Sequence, residues 1–389
     1  MGCLICNSYW TWKNKLLLGA LLCGLCSCTS HQNPYRIDLT EVPGCRKIAT
    51  AGELFSSVTY IPLEVTPECL IGAGSLLAVD GNDILVWANG SNVYRFDRSG
   101  KFLNTIGRVG NGPGEHGMLN SANYDRREKV LYLGTPGNII YKYALDGTFL
   151  GDFKVPVASG VLQTVRFNEQ LGLVCEIREY TPEGLKVSLA VVSKDGELQS
   201  LHSVYEDYRQ VEVSLLGTGM LRNCAEGVLF MLPFDDRLFL LNESGLSDSL
   251  TLYRGKYSPD REMVEDARRS GELYAEKYTF PNLVVTDKHL YVSIDNRYNQ
   301  YDVLVDRATG KVSRTWRYQN YDETHHIPLD GFAHVTFWPW ISVDSACVAD
   351  LLPIDRFDEA DFRTLEKVAS NQYLIGEDSN PVVILAKEM

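Results

Sequence analysis

Five times along this chain an apolar strand runs into a short turn that closes on glycine. The turns are Asp97-Arg98-Ser99-Gly100, Ala144-Leu145-Asp146-Gly147, Ser193-Lys194-Asp195-Gly196, Asn242-Glu243-Ser244-Gly245 and Arg307-Ala308-Thr309-Gly310. Their glycines lie 47, 49, 49 and 65 residues apart. Few architectures repeat short strands at a spacing of about 50 residues. A unit of that size cannot bury both of its faces alone, and a closed ring of such units is the arrangement that leaves no open end. A chain of 389 residues has room for six units once two helical inserts are set aside. The expected fold is therefore all-β: a six-bladed β-propeller of four-stranded antiparallel blades, with two peripheral helices.

The strands can be placed blade by blade. Blade one takes Leu76 to Asp80, Ile84 to Trp87, Val93 to Phe96 and Phe102 to Ile106. Blade two runs from Ala122 to Val155, and blade three begins at Gln163. Gly227 to Tyr253 supplies blade four and Leu283 to Tyr318 blade five. Blade six is expected from Val335 to Trp340, Ala346 to Leu351 and Val382 to Ala386. Val58 to Leu63 precedes the first blade and contains Pro62, which fits a sheet edge or a strand end. It is expected to close the ring as the outer strand of the last blade, removing an exposed edge. Ser258-Pro259 opens one inserted helix as N-cap and N1 proline. Phe362, Leu365 and Val368 mark a second helix from Asp358 to Ala369, one apolar residue every three positions.

The first 50 residues differ in kind. Lys13 and Lys15 precede an apolar run from Leu16 to Cys26, too short for a bilayer, which needs roughly 20 residues. The run ends in Leu25-Cys26-Ser27-Cys28, which resembles a bacterial lipobox. The expectation is a lipoprotein signal peptide over 1–27, lipidation of Cys28, a polar tether over 28–50, and the propeller over 51–389. Arg36 to Leu39 could add a short strand within the tether. Met1-Gly2-Cys3-Leu4-Ile5-Cys6 lacks the Ser or Thr of a myristoylation signal.

Charge and cysteine usage narrow the function classes. The formal charge is −13, and after residue 27 the chain carries 35 basic and 50 acidic residues. Affinity for nucleic acid rests on neutralising phosphates with Lys and Arg, so no nucleic-acid partner is expected. Five of the ten cysteines lie within the first 28 residues. The others, Cys45, Cys69, Cys175, Cys224 and Cys347, are scattered and odd in number; a bridge between Cys45 and Cys69 stays open, and the fold does not require one.

Ile61-Pro62-Leu63-Glu64, Phe96 to Phe102 and the run Ile106-Gly107-Arg108-Val109-Gly110-Asn111-Gly112-Pro113-Gly114-Glu115 resemble the six-bladed propeller lipoproteins abundant in Bacteroidota. These are similar to NHL-repeat propellers. The likeness extends from Val58 to Asn380-Pro381-Val382-Val383. It implies the fold and a cell-envelope address, and carries no reaction and no catalytic residue.

Three groups of residues could carry chemistry. The blade link from Gly107 to Gly117 could turn backbone N–H groups toward an anion, with Arg108, Asn111 and Glu115 beside it; glycines that merely allow a tight crossing are the plainer explanation. Phe337-Trp338-Pro339-Trp340 holds two tryptophans around a proline, and at least one could offer its face to a sugar or peptide. Tyr298, Tyr301, Tyr318 and Tyr321 add aromatic surface nearby. His325, His326 and His334, near Asp322, Glu323 and Asp330, lack the fixed facing geometry that metal ligands need. No metal site is assigned, and no nucleophile motif or Walker sequence occurs.

The expected function is that of a membrane-anchored, non-enzymatic binding propeller of the cell envelope, sited at the outer membrane and monomeric. Its ligand would be a glycan, a peptide or an envelope protein, and no cofactor is expected. The alternative is a metal-dependent hydrolase or lyase using the central channel. It would bring a divalent ion such as Ca2+, held by acidic residues such as Asp235, Asp236, Asp287 and Asp295.

Overall fold

The computed structural model describes residues 35–389 apart from residues 89, 183, 209–218, 234, 260–262, 264–275, 297–298, 316–325, 370–372 and 374. Six antiparallel sheets, each with four core strands, follow one another around an axis. Their inner strands are Gly74–Asp80, Ser121–Asp125, Val161–Asn168, Met220–Cys224, Thr279–Val285 and Ile341–Ser342. The recurring glycine turn joins the third strand of a blade to its outer strand. Asp97 Oδ1 accepts from the Ser99 N–H at 2.8 Å, Asp146 Oδ1 from Thr148 at 2.9 Å, and Asp306 Oδ1 from Thr309 at 2.8 Å. In blade three Ser193 Oγ does the same work, accepting from Glu197 at 3.0 Å. The glycine that follows has a φ of 83° at Gly100, 89° at Gly147 and 91° at Gly196, a region costly for other residues.

Closure follows the expectation. Phe55–Pro62 pairs antiparallel with Val382–Glu388 as the outer strand of blade six, with Tyr60 opposite Ile384 and Pro62 at the strand end. Asn380 adds a second tie. Its Oδ1 accepts from Ile71 N–H at 2.8 Å, and its Nδ2 donates to the carbonyls of Glu64 at 2.7 Å and Cys69 at 3.0 Å.

Burial explains why the strands are apolar runs instead of clean alternations. Six hydrophobic clusters fill the six junctions between neighbouring blades. In the blade-five inner strand Leu283 and Val285 face blade four, while Val284 faces blade six. A strand covered on both sides keeps hydrophobic residues at both parities, as in parallel sheets.

Two expectations require correction. From Tyr35 onward the supposed tether is part of the ring: Tyr35–Asp38 runs parallel to Gly245–Tyr253 as a fifth strand of blade four, and Arg46–Lys47 runs parallel to Val312–Arg314 on blade five. Ile37, Leu39, Val42 and Ile48 are buried there, which a solvated tether would not allow. The inner strand of blade six is Ile341–Ser342; Thr336–Phe337, within the segment expected to form it, pairs with Ile327–Pro328 in a separate ribbon. Phe337 and Trp338 are drawn instead into the cluster between blades five and six. Of the two expected helices, Glu359–Val368 is present, capped by Asp358, which accepts from Ala360 and Asp361 N–H groups. The helix expected after Ser258 lies almost wholly outside the described residues. The lipobox with Cys28, Tyr298, Tyr318, Tyr321, Asp322, Glu323 and His325 also lie outside them. Cys45, Cys69, Cys175, Cys224 and Cys347 are free thiols.

Strand alternation divides the connections between two faces. Links from an outer strand to the next inner strand, and loops between second and third strands, share one face; the tight glycine turns occupy the other. The helix, between Cys347–Leu352 and Val382–Glu388, lies on the link face.

Candidate functional site

The inner strands belong to separate sheets, so no backbone ladder joins them around the axis. Polar side chains do so. Asn120 Nδ2 donates to the Leu162 carbonyl at 2.8 Å and Asn123 Oδ1 accepts from Phe167 N–H at 3.1 Å, tying blade two to blade three. Arg166 Nε donates to the Leu221 carbonyl at 3.1 Å, tying blade three to blade four. Arg222 Nε donates to Leu283 O at 2.7 Å and its Nη2 to Asn282 Oδ1 at 3.1 Å, tying blade four to blade five. Asn282 Nδ2 then donates to Pro339 O at 3.0 Å.

Within this ring of ties lies a cavity of about 300 Å³, lined by residues from all six blades. That is the lower end of the ~300–1,000 Å³ range of small-molecule pockets. Trp340 stands at the link-face entrance, just before the blade-six inner strand, and is 42% exposed. Trp87, at the end of the second strand of blade one, also borders the cavity, and Arg126 follows the blade-two inner strand at the other end.

Arg166 and Arg222 are the unusual members. Both sit deep in the ring yet keep contact with solvent in the channel. Arg166 Nε and Arg222 Nη1 donate to the same Leu221 oxygen, at 3.1 and 3.0 Å, so these nitrogens lie within about 6 Å of each other. Two like charges at that distance repel by roughly 3 kcal/mol at an effective dielectric constant of about 20. Among the described residues neither has an ion-pair partner, and no Asp or Glu lines the cavity. Burial lowers the pKa of Arg166; burial, and then the charge of Arg166, push Arg222 down to about 9. Both remain cations at neutral pH. Asn123 is 1% exposed, and among the described residues its Nδ2 has no hydrogen-bond partner; the Trp87 Nε1 is likewise unpartnered there. The residues of the channel wall thus carry donors that the described residues leave unsatisfied.

Sequence reasoning missed both arginines, although a signal was present. Val165-Arg166-Phe167 and Leu221-Arg222-Asn223 place a cation in the inner strands of consecutive blades. In a propeller the axis is the wet side of such a strand.

The residues singled out from sequence fall into two separate places. Arg108, Asn111 and Glu115 do not line the channel. Their link packs on blade two, where Tyr143 OH donates to Gly114 O at 2.9 Å. The glycine hollow there already holds an anion, the carboxylate of Glu115. Gly112 N–H donates to Glu115 Oε2 at 2.8 Å, and a Cβ on Gly110 would stand 1.9 Å from that oxygen. Arg108, 82% exposed, sits 3.7 Å from the same carboxylate group, and Asn111 is exposed. The tryptophans divide: Trp338 is 3% exposed and meets Tyr291 edge-on at 5.3 Å, while Trp340 borders the channel.

His326 Nδ1 lies 2.6 Å from Asp302 Oδ2, and Ser293 Oγ donates to Asp302 Oδ1 at 3.1 Å. Burial alone would lower the His326 pKa, but the charge of Asp302 and its hydrogen bond raise it. The carboxylate stands between histidine and serine, so the histidine is not placed to deprotonate that hydroxyl, as a triad would require. His334 is exposed, 3.8 Å from Asp358. The acids considered for a channel ion are engaged elsewhere. Asp235 pairs with Arg237 at 2.9 Å and Asp236 with Arg254 at 2.6 Å, Asp295 accepts from Thr279, and Asp287 is absent from the cavity wall. Among the described residues no three His, Cys, Asp or Glu side chains group as metal ligands.

A family model described as a domain of unknown function (DUF4934) matches residues 34–387. Comparison with curated proteins returned no match. Among solved structures, a Bacteroides fragilis protein whose description proposes export superposes with a TM-score of 0.65 at 16% identity, covering 91% of this chain and 99% of that one. A Bacteroides thetaiotaomicron protein of unknown function gives 0.47 at 11% identity, covering 85% and 76%.

Proposed function

This chain belongs to the DUF4934 family, and on that premise we propose that it is an exported binding propeller of the cell envelope, anchored by lipid at Cys28 in the outer membrane. It acts without catalysing a reaction: the central channel and the link face around Trp340 take up a ligand, a glycan, a peptide or a partner protein. The observation that carries this reading is the channel itself. Residues from all six blades converge there on one cavity with donors that the described residues leave unsatisfied, and an exposed indole stands at its entrance. Ligand sites are typically such concave places with a few convergent polar groups. The resemblance to an exported-protein structure and the lipobox-like Leu25 to Cys28 support the address.

Glycan and peptide arrays probed with the full chain in mild detergent test the binding. A hit lost in Trp340→Ala is the expected result; turnover of a substrate in a hydrolase screen, or hits indifferent to Trp340→Ala, would overturn it. Cys28→Ala should move the protein from the membrane pellet to the soluble fraction, and persistence in the pellet would exclude the anchor.

A further inference from the structure

We propose that the central channel is an oxyanion site, in which Arg166 and Arg222 hold the carboxylate, sulfate or phosphate group of a small molecule. The inference rests on the channel being the binding site and adds the chemistry of what it binds.

The arginines exceed what the ties between blades require. Side-chain ties between neighbouring inner strands are made elsewhere by neutral amides, Asn120 to Leu162 and Asn282 to Pro339. A neutral donor would serve at the junctions of blades three, four and five as well. Instead two guanidiniums converge on one carbonyl oxygen, without a carboxylate near them in the cavity wall, in a chain whose formal charge is −13. In a protein with 50 acidic residues, two axial cations left unpaired among the described residues leave room for an external anion. Only the Nε of Arg166 is engaged by a described residue, so its two Nη groups remain to meet oxygen atoms in a forked geometry. The buried Asn123 Nδ2, without a partner among the described residues, adds a neutral donor in the same wall. An oxyanion beside the guanidiniums accepts from them, and its charge removes the repulsion between the arginines. The indole of Trp340 at the entrance supplies an apolar face for the remainder of the molecule.

Titration calorimetry on the full chain in mild detergent and low salt tests this with four probes: inorganic phosphate, sulfate, galacturonate and galactose. Binding of at least one anion, weakened by added sodium chloride, is expected, with galactose inert. Tighter binding of galacturonate than of phosphate or sulfate identifies an acidic sugar as the source; the reverse order identifies a free anion. Arg166→Gln and Arg222→Gln should each weaken the anion at least tenfold. Thr164→Glu guards against a variant that fails to fold. Positions 164 and 166 share one side of the blade-three inner strand, so the new carboxylate should raise the melting temperature in anion-free buffer and abolish anion binding. The inference falls if no anion binds, if the glutamine variants bind anions as the parent does, if galactose equals galacturonate, or if Thr164→Glu lowers the melting temperature. If a neutral array hit is lost in Trp340→Ala while no anion binds, the binding propeller stands and the oxyanion site alone is refuted.

Discussion

Replacing Asn380 with alanine should show how much of the ring's stability depends on one latch outside the sheets. The side chain is 3% exposed and serves three backbone groups that lie more than 300 positions earlier in the chain. Alanine leaves the buried Ile71 N–H unsatisfied, at a cost of about 1–3 kcal/mol. The Glu64 and Cys69 carbonyls lose their donor, and Cys69 O keeps only a long contact from Thr66 N–H at 3.5 Å. The total expected loss is roughly 2–5 kcal/mol, a large part of the ~5–15 kcal/mol that holds a typical protein folded. Asn380→Asp is the sharper probe. It keeps the acceptor for Ile71 but points a carboxylate at two carbonyl oxygens. Its pKa in the folded state must therefore rise above the unfolded value, and the damage is full above the folded pKa and fades toward the unfolded one. Urea denaturation at pH 7 and pH 4 measures both effects. The order at pH 7 should be parent, then Asn380→Ala, then Asn380→Asp, with the aspartate variant regaining stability relative to alanine at pH 4. An Asn380→Ala loss below about 0.5 kcal/mol, within the range of ordinary surface changes, would refute the reasoning, as would an aspartate variant equal to the parent at pH 7.

Three further outcomes follow from the same logic. Burial opposes the Glu388 carboxylate, but hydrogen bonds from His289 at 2.9 Å, Tyr291 at 2.7 Å and Thr286 at 3.0 Å outweigh it and lower its pKa. Its contribution is thus present above the unfolded pKa and lost as pH falls through the folded one, so Glu388→Gln should cost about 1–3 kcal/mol at pH 7 and the difference should shrink in acid, as followed by denaturation midpoints. Asp350 behaves oppositely: burial pushes it up to about 7 against the Leu351 N–H and the charges of His326 and Arg356. Its penalty grows as pH rises from about 4 to 7, so Asp350→Asn should stabilise by roughly 2–4 kcal/mol at pH 8 and have little effect at pH 4; equal gains at both would exclude the assignment. Trp338→Ala should cost about 3–5 kcal/mol through the cavity it leaves, whereas Trp340→Ala should leave the melting temperature nearly unchanged.

The ring was legible because its turns repeat a local chemistry: an Asp, Asn or Ser that accepts from the backbone two to four positions on, with a glycine able to take positive φ. Such signals need no knowledge of distant residues. The closing strand was legible for a similar reason, since Val58 to Pro62 stood as a strand without a blade. The inner strand of blade six was misplaced because Phe337 and Trp338 have a strand's composition, and only tertiary contact with Tyr291 and Phe55 decides that they fill a junction. The short strand at Arg36 to Leu39 was legible, but its place on blade four was not, and the two-residue strand Arg46–Lys47 carries too short a pattern to stand out. At the site, the glycine link proclaimed itself and proved to be self-filled by Glu115, whereas Arg166 and Arg222 were overlooked as single charges in apolar strands. Which inner-strand residues share the channel depends on how six blades meet, and that is not a local property.

The pairing of Phe55–Pro62 with Val382–Glu388 also sets an order of events in time. The two partners lie more than 300 positions apart, so the earlier strand is made long before the later one. Until Val382–Glu388 is in place, blade six lacks its third strand and the circle stays open, with a long loop closure still to be completed. Five blades can be built while the sixth still waits for its middle, and the toroid locks in a single late step.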